Sequence, residues 1–312
     1  MKIAFSAAVG ADERAEWLQV LRAACPRHEW LEHWSPGQAV DVAVVANPQP
    51  GALLGLHGLR LVQSLWAGVE RLLQDPTLPA DVPLARMVDP AMNVAMAETA
   101  AWAVLSLHRG FFDYARQQRE TRWRQLPQRR AGTVPVLVLG LGAMGRAVAA
   151  RLAALGYPVS AWRRSAAVDV PLPGVQVLHG QAALAAALAG TEVLINLLPL
   201  TPDTRAILCA PLFARLPRGA CVVNFARGGH LVEPDLLAAL DGGHLRHALL
   251  DVFAAEPLAT DHPFWTHPRV TVLPHVAALT DAHSACRVVA ANLERVERGE
   301  LPWHLVDRGR GY

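Results

Sequence analysis

Two kinds of apolar pattern alternate along this chain. Short β-branched runs end in glycine or polar turns, and longer stretches carry apolar residues every three or four positions. The short runs predict strands at Ile3–Phe5, Asp41–Val45 and Leu59–Ser64, then at Val134–Leu139, Pro158–Trp162, Val175–Leu178, Val193–Leu198, Ala220–Phe225, His247–Phe253 and Val270–Leu273. The longer stretches predict helices over Glu13–Ala24, over one continuous span Asp89–Gln118, over Arg146–Leu155 and over Thr280–Gly299. Strand–helix alternation of this kind implies α/β architecture with parallel sheets. We expect two domains: a Rossmann-type doubly wound sheet over 99–286, inserted in a smaller flavodoxin-like α/β substrate domain formed by 1–98 and 287–312.

One stretch changes that picture from fold to chemistry. The strand ending at Leu139 runs into Gly140-Leu141-Gly142-Ala143-Met144-Gly145 and then directly into a helix-forming run closed by Gly156. In this setting Gly140 permits the tight turn, Gly142 lets the backbone approach a pyrophosphate, and Gly145 lets helix and strand pack closely. The helix N-terminus, with Ala143 and Met144, offers N–H groups to the anion. The next strand ends in Arg163-Arg164-Ser165, where an NAD-binding unit usually carries an acid for the ribose hydroxyl. Two cations and a hydroxyl suit a 2′-phosphate, so NADP(H) is the expected coenzyme, with NAD(H) as the alternative.

Composition narrows the class further. The 312 residues suffice for two cores, and apolar residues (52%) are never gathered into a charge-free run of membrane-spanning length. The opening Met1-Lys2-Ile3-Ala4-Phe5-Ser6 reads as a strand rather than a secretory signal, so a cytoplasmic location and no membrane partner are expected. Cys25, Cys209, Cys221 and Cys286 lack metal-ligand spacing, and no metal is expected. A net charge of +2 gives no bulk affinity for nucleic acid. The local cluster Arg116, Arg119, Arg122, Arg124, Arg129 and Arg130 is read as a solvated or interfacial arm. With the apolar helix before it, that arm predicts a homodimer with Phe111, Phe112 and Trp123 at or near the interface.

Ligands of doubly wound sheets sit beyond the carboxyl ends of the strands. Polar clusters fall at such ends: Leu198-Pro199 through Thr204, Asn224 through Gly229, Asp251 through Pro257, and Pro274-His275-Val276-Ala277. Arg227, Glu256 and His275 form a coherent catalytic set. An arginine fork holds a 2-oxo-acid, a histidine donates a proton to its oxygen, and a carboxylate orients the histidine and favours its protonated form. The turn Trp66-Ala67-Gly68 before a helix is either a carboxylate-binding nest or a plain strand-to-helix connection.

These motifs resemble the D-isomer-specific 2-hydroxyacid dehydrogenases over nearly the whole chain. The carriers are Gly140–Gly145, Asn224–Gly228, Asp251–Leu258 and Pro274–Ala277. The helix start Asp89-Pro90-Ala91-Met92 and the end Trp162-Arg163-Arg164-Ser165 resemble, within the family, its bacterial glyoxylate- and hydroxypyruvate-reducing branch. The resemblance implies Arg227 as substrate-orienting residue, His275 as proton donor and Glu256 as its partner. It also implies coenzyme contacts at Leu198, Pro199, Thr204, Ala226 and Asp251, and substrate contacts at Trp66, Ala67, Gly68, Arg227 and His275. It implies NADPH-dependent reduction of small 2-oxo-acids, glyoxylate and hydroxypyruvate among them. A non-catalytic NAD(P)-sensing regulator on the same fold is the alternative. Trp66 departs from the pattern, where a smaller residue is expected; its indole either lines the substrate pocket or packs in the first domain's core.

Overall fold

The computed structural model describes residues 1–166 and 171–312. In chain order the regular elements are β1 (Lys2–Ala7), α1 (Ala11–Ala24), β2 (Glu29–Leu31), β3 (Val42–Ala46), β4 (Leu61–Ser64), α2 (Glu70–Leu73), β5 (Leu84–Ala85), α3 (Pro90–Arg109) and α4 (Phe111–Arg119). They continue with β6 (Val136–Leu139), α5 (Ala143–Ala154), β7 (Val159–Arg163), β8 (Val175–His179), α6 (Gly180–Leu188), β9 (Val193–Asn196), α7 (Ala210–Phe213), β10 (Ala220–Asn224), α8 (Glu233–Asp241), β11 (Leu245–Leu250), β12 (Val270–Val272) and α9 (Ala282–Glu297). The chain divides into two compact units, Met1–Met92 with Thr280–Tyr312, and Asn93–Leu279.

The first unit is built on a parallel sheet of order β2-β1-β3-β4-β5. This is a flavodoxin-like strand order, as expected for this domain. Its central strand β3 is apolar along its whole length and every one of its residues is buried, the pattern of a parallel strand covered on both faces. On α9, Ala282, Ala285, Cys286, Val289, Asn292, Leu293 and Val296 are buried, the recurrence that puts them on one face of a helix. That helix packs on α1. The polar residue on its buried face is satisfied: Asn292 Nδ2 donates to Gln63 Oε1 of β4 at 2.7 Å, and its Oδ1 accepts from Trp303 N at 2.7 Å.

The second unit holds a seven-stranded parallel sheet, β12-β11-β10-β9-β6-β7-β8. The chain winds one way from β6 to β8 and then crosses back to β9 on the other side of β6. The carboxyl ends of β6 and β9 therefore flank the reversal point at which such sheets bind ligands.

Three details differ from the sequence reading. The single helix expected over Asp89–Gln118 is two, because Gly110 takes a left-handed conformation (φ 73°) that ends α3 and restarts the chain as α4. The strands expected to reach Leu198, Phe225 and Phe253 stop at Asn196, Asn224 and Leu250; at the first two the asparagine side chain accepts the N–H two residues on, which turns the backbone out of the ladder. The short edge strands β2 and β5 carry too few residues to give a pattern of their own. Among the described residues no helix is long and apolar enough to cross a membrane.

Candidate active site

The glycine turn explains itself residue by residue. Gly140 has φ 99°, and a Cβ added there would lie 2.6 Å from the Leu197 carbonyl oxygen. A Cβ on Gly145 would lie 1.9 Å from the Gly140 oxygen, so helix and turn approach as closely as glycine allows. Gly142 differs: a Cβ there would meet no atom of the described residues within 4 Å. Neither strain nor packing demands glycine at 142, which leaves open space for a group seated against the backbone. Gly142 caps α5, whose first turn carries no acid, so its N–H groups and dipole face that space unopposed. The turn thus fits a dinucleotide pyrophosphate.

At the end of β7, Trp162 is buried and anchored by its indole N–H on the Gly180 carbonyl at 2.8 Å. Arg163 closes the strand, and Arg164 follows half-exposed, paired with Asp203 of the loop after β9. In that loop the Thr204 hydroxyl donates to the Pro199 carbonyl at 2.6 Å and accepts the Thr201 N–H at 2.8 Å, so it shapes the loop from within.

The loops after β10, β11 and β12 carry the three expected catalytic residues. Asn224 and Asn196 are register partners in adjacent strands, both fully buried, with Asn196 Nδ2 donating to Asn224 Oδ1 at 3.0 Å. Asn224 also accepts the Ala226 N–H at 3.2 Å and donates to the Arg227 carbonyl at 3.0 Å. His230, fully buried, places Nδ1 3.1 Å from that same carbonyl and Nε2 3.3 Å from the Pro199 carbonyl. The Arg227 backbone is therefore held from two sides. Gly228 clamps it further: a Cβ there would sit 1.9 Å from the Phe253 carbonyl carbon, so the loops after β10 and β11 interlock.

His275 occupies the left-handed region (φ 57°), unusual for a residue with a Cβ. Its ring is half-exposed, with Nδ1 2.8 Å from Glu256 Oε2. Glu256 Oε1 accepts the Phe253 N–H at 2.8 Å, which fixes the carboxylate plane. Asp251, almost fully buried, accepts the Val276 and Ala277 N–H groups at 2.7 and 3.0 Å. Burial pushes its carboxyl above the ordinary range, against the lowering effect of those two N–H bonds. The Thr99 hydroxyl of α3 donates to the Ala277 carbonyl at 2.8 Å from the other side. Asp251, read from sequence as a coenzyme contact, here holds the turn that presents His275.

In the first unit, the Ser64 hydroxyl accepts the Trp66 N–H at 3.0 Å and donates to the Trp66 carbonyl at 3.1 Å, folding the Trp66-Ala67-Gly68 turn back on β4. The half-buried Trp66 indole meets buried Trp17 edge to face, with centroids 6.1 Å apart.

The family model for the "D-isomer specific 2-hydroxyacid dehydrogenase, NAD binding domain" matches residues 101–277. The chain belongs to the D-isomer-specific 2-hydroxyacid dehydrogenases. A curated relative, glyoxylate/hydroxypyruvate reductase A of Serratia proteamaculans, is 42% identical over 95% of this chain and 96% of its own. Among solved structures, a family member from Xanthobacter autotrophicus in complex with NADPH and MES superposes with a TM-score of 0.93. It is 38% identical and covers 100% of this chain and 99% of that one. The NADPH-dependent glyoxylate/hydroxypyruvate reductase of Sinorhizobium meliloti, in complex with NADP and sulfate, gives 0.92 at 36% identity, covering 100% and 99%.

Three structural supports of this dehydrogenase have no role assigned from the sequence: Asn196, Asn224, which the sequence marks only as the start of a polar cluster, and His230. A signal for the first two is present in the sequence, since each ends a buried apolar run with the same amide. His230 gives no signal, as its value comes from contacts with two separate loops. Among the described residues no group of three or more His, Cys, Asp or Glu side chains could hold a metal ion.

Proposed function

We propose that this dehydrogenase reduces small 2-oxo-acids, with glyoxylate and hydroxypyruvate foremost, using NADPH. The single observation that carries the chemistry is the His275–Glu256 pair at 2.8 Å. With Nδ1 directed at a carboxylate, the opposite ring nitrogen, Nε2, is the one that offers its proton to a substrate oxygen. Bound nicotinamide supplies the hydride for the keto carbon. His275 supplies the proton to the oxygen that becomes a hydroxyl, and Glu256 orients the ring. Arg227 orients the 2-oxo-acid through its guanidinium fork, and the Ala67 and Gly68 N–H groups receive the carboxylate, with Trp66 beside them.

The coenzyme assignment rests on the open space over Gly142 and on Arg163, Arg164 and Ser165 at the end of β7. NADP(H) is bound in the relatives from X. autotrophicus and S. meliloti. Leu198, Pro199, Thr204, Ala226 and Asp251 line the coenzyme's path, and Asp251 also holds the backbone of residues 276 and 277. The unit containing the glycine turn is the dinucleotide-binding domain and the other the substrate domain. We further propose a cytoplasmic homodimer. Trp123 (96% exposed) and Phe111 (53% exposed) suit its interface, whereas Phe112 stacks within the chain on His247.

The test is a panel of 2-oxo-acids assayed with NADPH and with NADH. Turnover of glyoxylate and hydroxypyruvate with higher kcat/KM for NADPH is expected. A protein that binds NADPH and turns over no 2-oxo-acid would instead be a coenzyme sensor.

A further inference from the structure

The first unit holds a set of buried polar groups for which the reaction above gives no use. A parallel strand buried on both faces ordinarily reads as an apolar run, and β4 departs from that at its last two residues, Gln63 and Ser64. Asn292 reaches them from α9, and all three are fully buried. Unpaired amides and hydroxyls are costly in such a place, so each must find partners. Asn292 wraps the backbone of Trp303: its Oδ1 accepts that residue's N–H at 2.7 Å, and its Nδ2 donates to the carbonyl at 3.2 Å. The same Nδ2 donates to Gln63 Oε1 at 2.7 Å, and Gln63 Nε2 donates to the Ser64 carbonyl at 2.8 Å. The Leu65 N–H, on the same peptide plane as that carbonyl, donates to the Val45 carbonyl of β3 at 2.8 Å. Ser64 is thus fixed from the carboxyl-terminal segment on one side and from the neighbouring strand on the other.

This chain of hydrogen bonds ends on the Trp66 turn. The Ser64 hydroxyl accepts the Trp66 N–H at 3.0 Å and donates to the Trp66 carbonyl at 3.1 Å. The Met87 N–H, two residues past β5, donates to that same carbonyl at 3.1 Å. The carboxyl-terminal segment braces this second arm too, since the Arg86 N–H donates to the His304 carbonyl at 3.0 Å and the Val306 N–H to the Leu84 carbonyl at 2.8 Å. The Trp66 carbonyl and the Ala67 N–H belong to one planar trans peptide, in which the two groups point in opposite directions. A carbonyl drawn in toward Ser64 and Met87 therefore turns the Ala67 N–H outward, away from β4 and β5.

We infer that Ser64, braced by Gln63 and Asn292, is a positioning residue for the substrate carboxylate: it sets the direction of the Ala67 N–H that receives it. This rests on the reading given above, in which the Ala67 and Gly68 N–H groups take that carboxylate. Gln63 and Asn292 act one and two steps further back, through Ser64. A hydrogen bond weakens as its donor tilts away from the acceptor, and one to a carboxylate has more to lose than a neutral one. A turn free to rotate about the Trp66–Ala67 peptide would hold the carboxylate less tightly. That loss falls on binding common to the ground and transition states, so it raises KM and leaves kcat in place.

The experiment is steady-state kinetics of the full chain with glyoxylate and hydroxypyruvate at saturating NADPH, with NADPH binding followed by fluorescence. Ser64→Ala should raise KM for both acids by about tenfold, the worth of one misdirected charge-assisted hydrogen bond, while kcat and NADPH affinity stay close to the parent values. Ser64→Thr, which keeps the hydroxyl, should return KM most of the way to the parent. Gln63→Met, which cuts the chain of hydrogen bonds one step further back, should raise KM by a smaller factor. A serine that served the fold alone would lower stability and leave KM where it was. Parent-like KM in Ser64→Ala overturns the assignment, as does a KM that rises only together with a loss of NADPH affinity. Should Ser64→Ala fail to fold, hydrogen exchange of the parent decides: the Trp66 amide should be protected in the free protein, and the Ala67 amide only once oxamate is bound with NADPH. Equal protection of the two amides in the free protein overturns the assignment. A parent that turns over neither acid removes the reading beneath the inference and the inference with it, whereas a parent that turns them over with KM indifferent to Ser64 removes the inference alone.

Discussion

Glu256 divides its two carboxylate oxygens between a fixed backbone N–H and an imidazole ring: Oε1 takes Phe253 N–H and Oε2 faces His275 Nδ1, each at 2.8 Å. The orientation of the histidine is therefore inherited from the loop after β11 rather than set by its own half-exposed surroundings. His275→Ala should lower kcat by about 10²–10⁴, the usual worth of a positioned proton donor, while NADPH binding measured by fluorescence stays within about twofold of the parent. Glu256→Gln retains the backbone acceptor but loses the charge facing the imidazolium, so kcat should fall in reduction with KM little changed. Parent-like turnover for either variant in single-turnover kinetics would remove the pair from the mechanism.

Arg164 is held by Asp203, so a 2′-phosphate must compete for it. Asp203→Asn should release the guanidinium and lower the KM for NADPH by about two- to fivefold, in keeping with an exposed pair worth about 0.2–1 kcal/mol. Arg164→Glu should reverse the coenzyme preference by repelling the 2′-phosphate while sparing NADH. Steady-state kinetics with both coenzymes check the two together; NADPH kinetics indifferent to both changes would place the 2′-phosphate elsewhere.

Trp66 is half-buried and meets Trp17 edge to face, which favours a packing role over a free wall of the substrate pocket. Trp66→Ala should lower stability by about 2–4 kcal/mol, less than a fully buried tryptophan would cost. Trp66→Phe should recover most of that loss. Chemical denaturation measures both. If Trp66→Ala leaves stability intact and shifts kcat/KM toward longer 2-oxo-acids, the indole is a pocket wall instead.

His247 is 9% exposed, and burial, together with the charges of Arg246 and Arg116, lowers its pKa to about 4. The folded state thus resists a proton that the unfolded chain accepts near pH 6.5, so the neutral ring contributes stability above that pH. The contribution is lost as pH falls from about 6.5 to about 4, amounting to roughly 3 kcal/mol in all. His247→Gln, which keeps a donor for Thr271 Oγ1, should flatten that part of the stability–pH curve relative to the parent. Superimposable acid limbs for parent and variant would show that the ring is not held neutral.

Strand positions and the glycine turn were legible because their causes are local: apolar runs buried on both faces, and a turn whose glycines are demanded within a few residues. Arg227, Glu256 and His275 were legible as a set because each follows a strand of a parallel sheet, and parallel strands bring their carboxyl ends together. What the sequence hides is the scaffold across loops. Nothing near Asp251 reveals that its carboxylate turns toward the N–H groups of Val276 and Ala277, twenty-five and twenty-six positions on. The break at Gly110 was hidden for another reason: apolar periodicity continues through it, and glycine's left-handed turn costs the pattern nothing.

The absence of a side chain on Gly228 has a reach beyond its own turn. With the Gly228 backbone seated directly on Phe253 and Ala254, the segment that carries Arg227 cannot shift without displacing the segment that aims the Glu256 carboxylate. The loops that carry Arg227 and Glu256 are thereby mechanically geared to one another. A change of substrate size that required moving one would spoil the other, so diversification of substrate range in a chain of this design has to be sought on loops outside the gear.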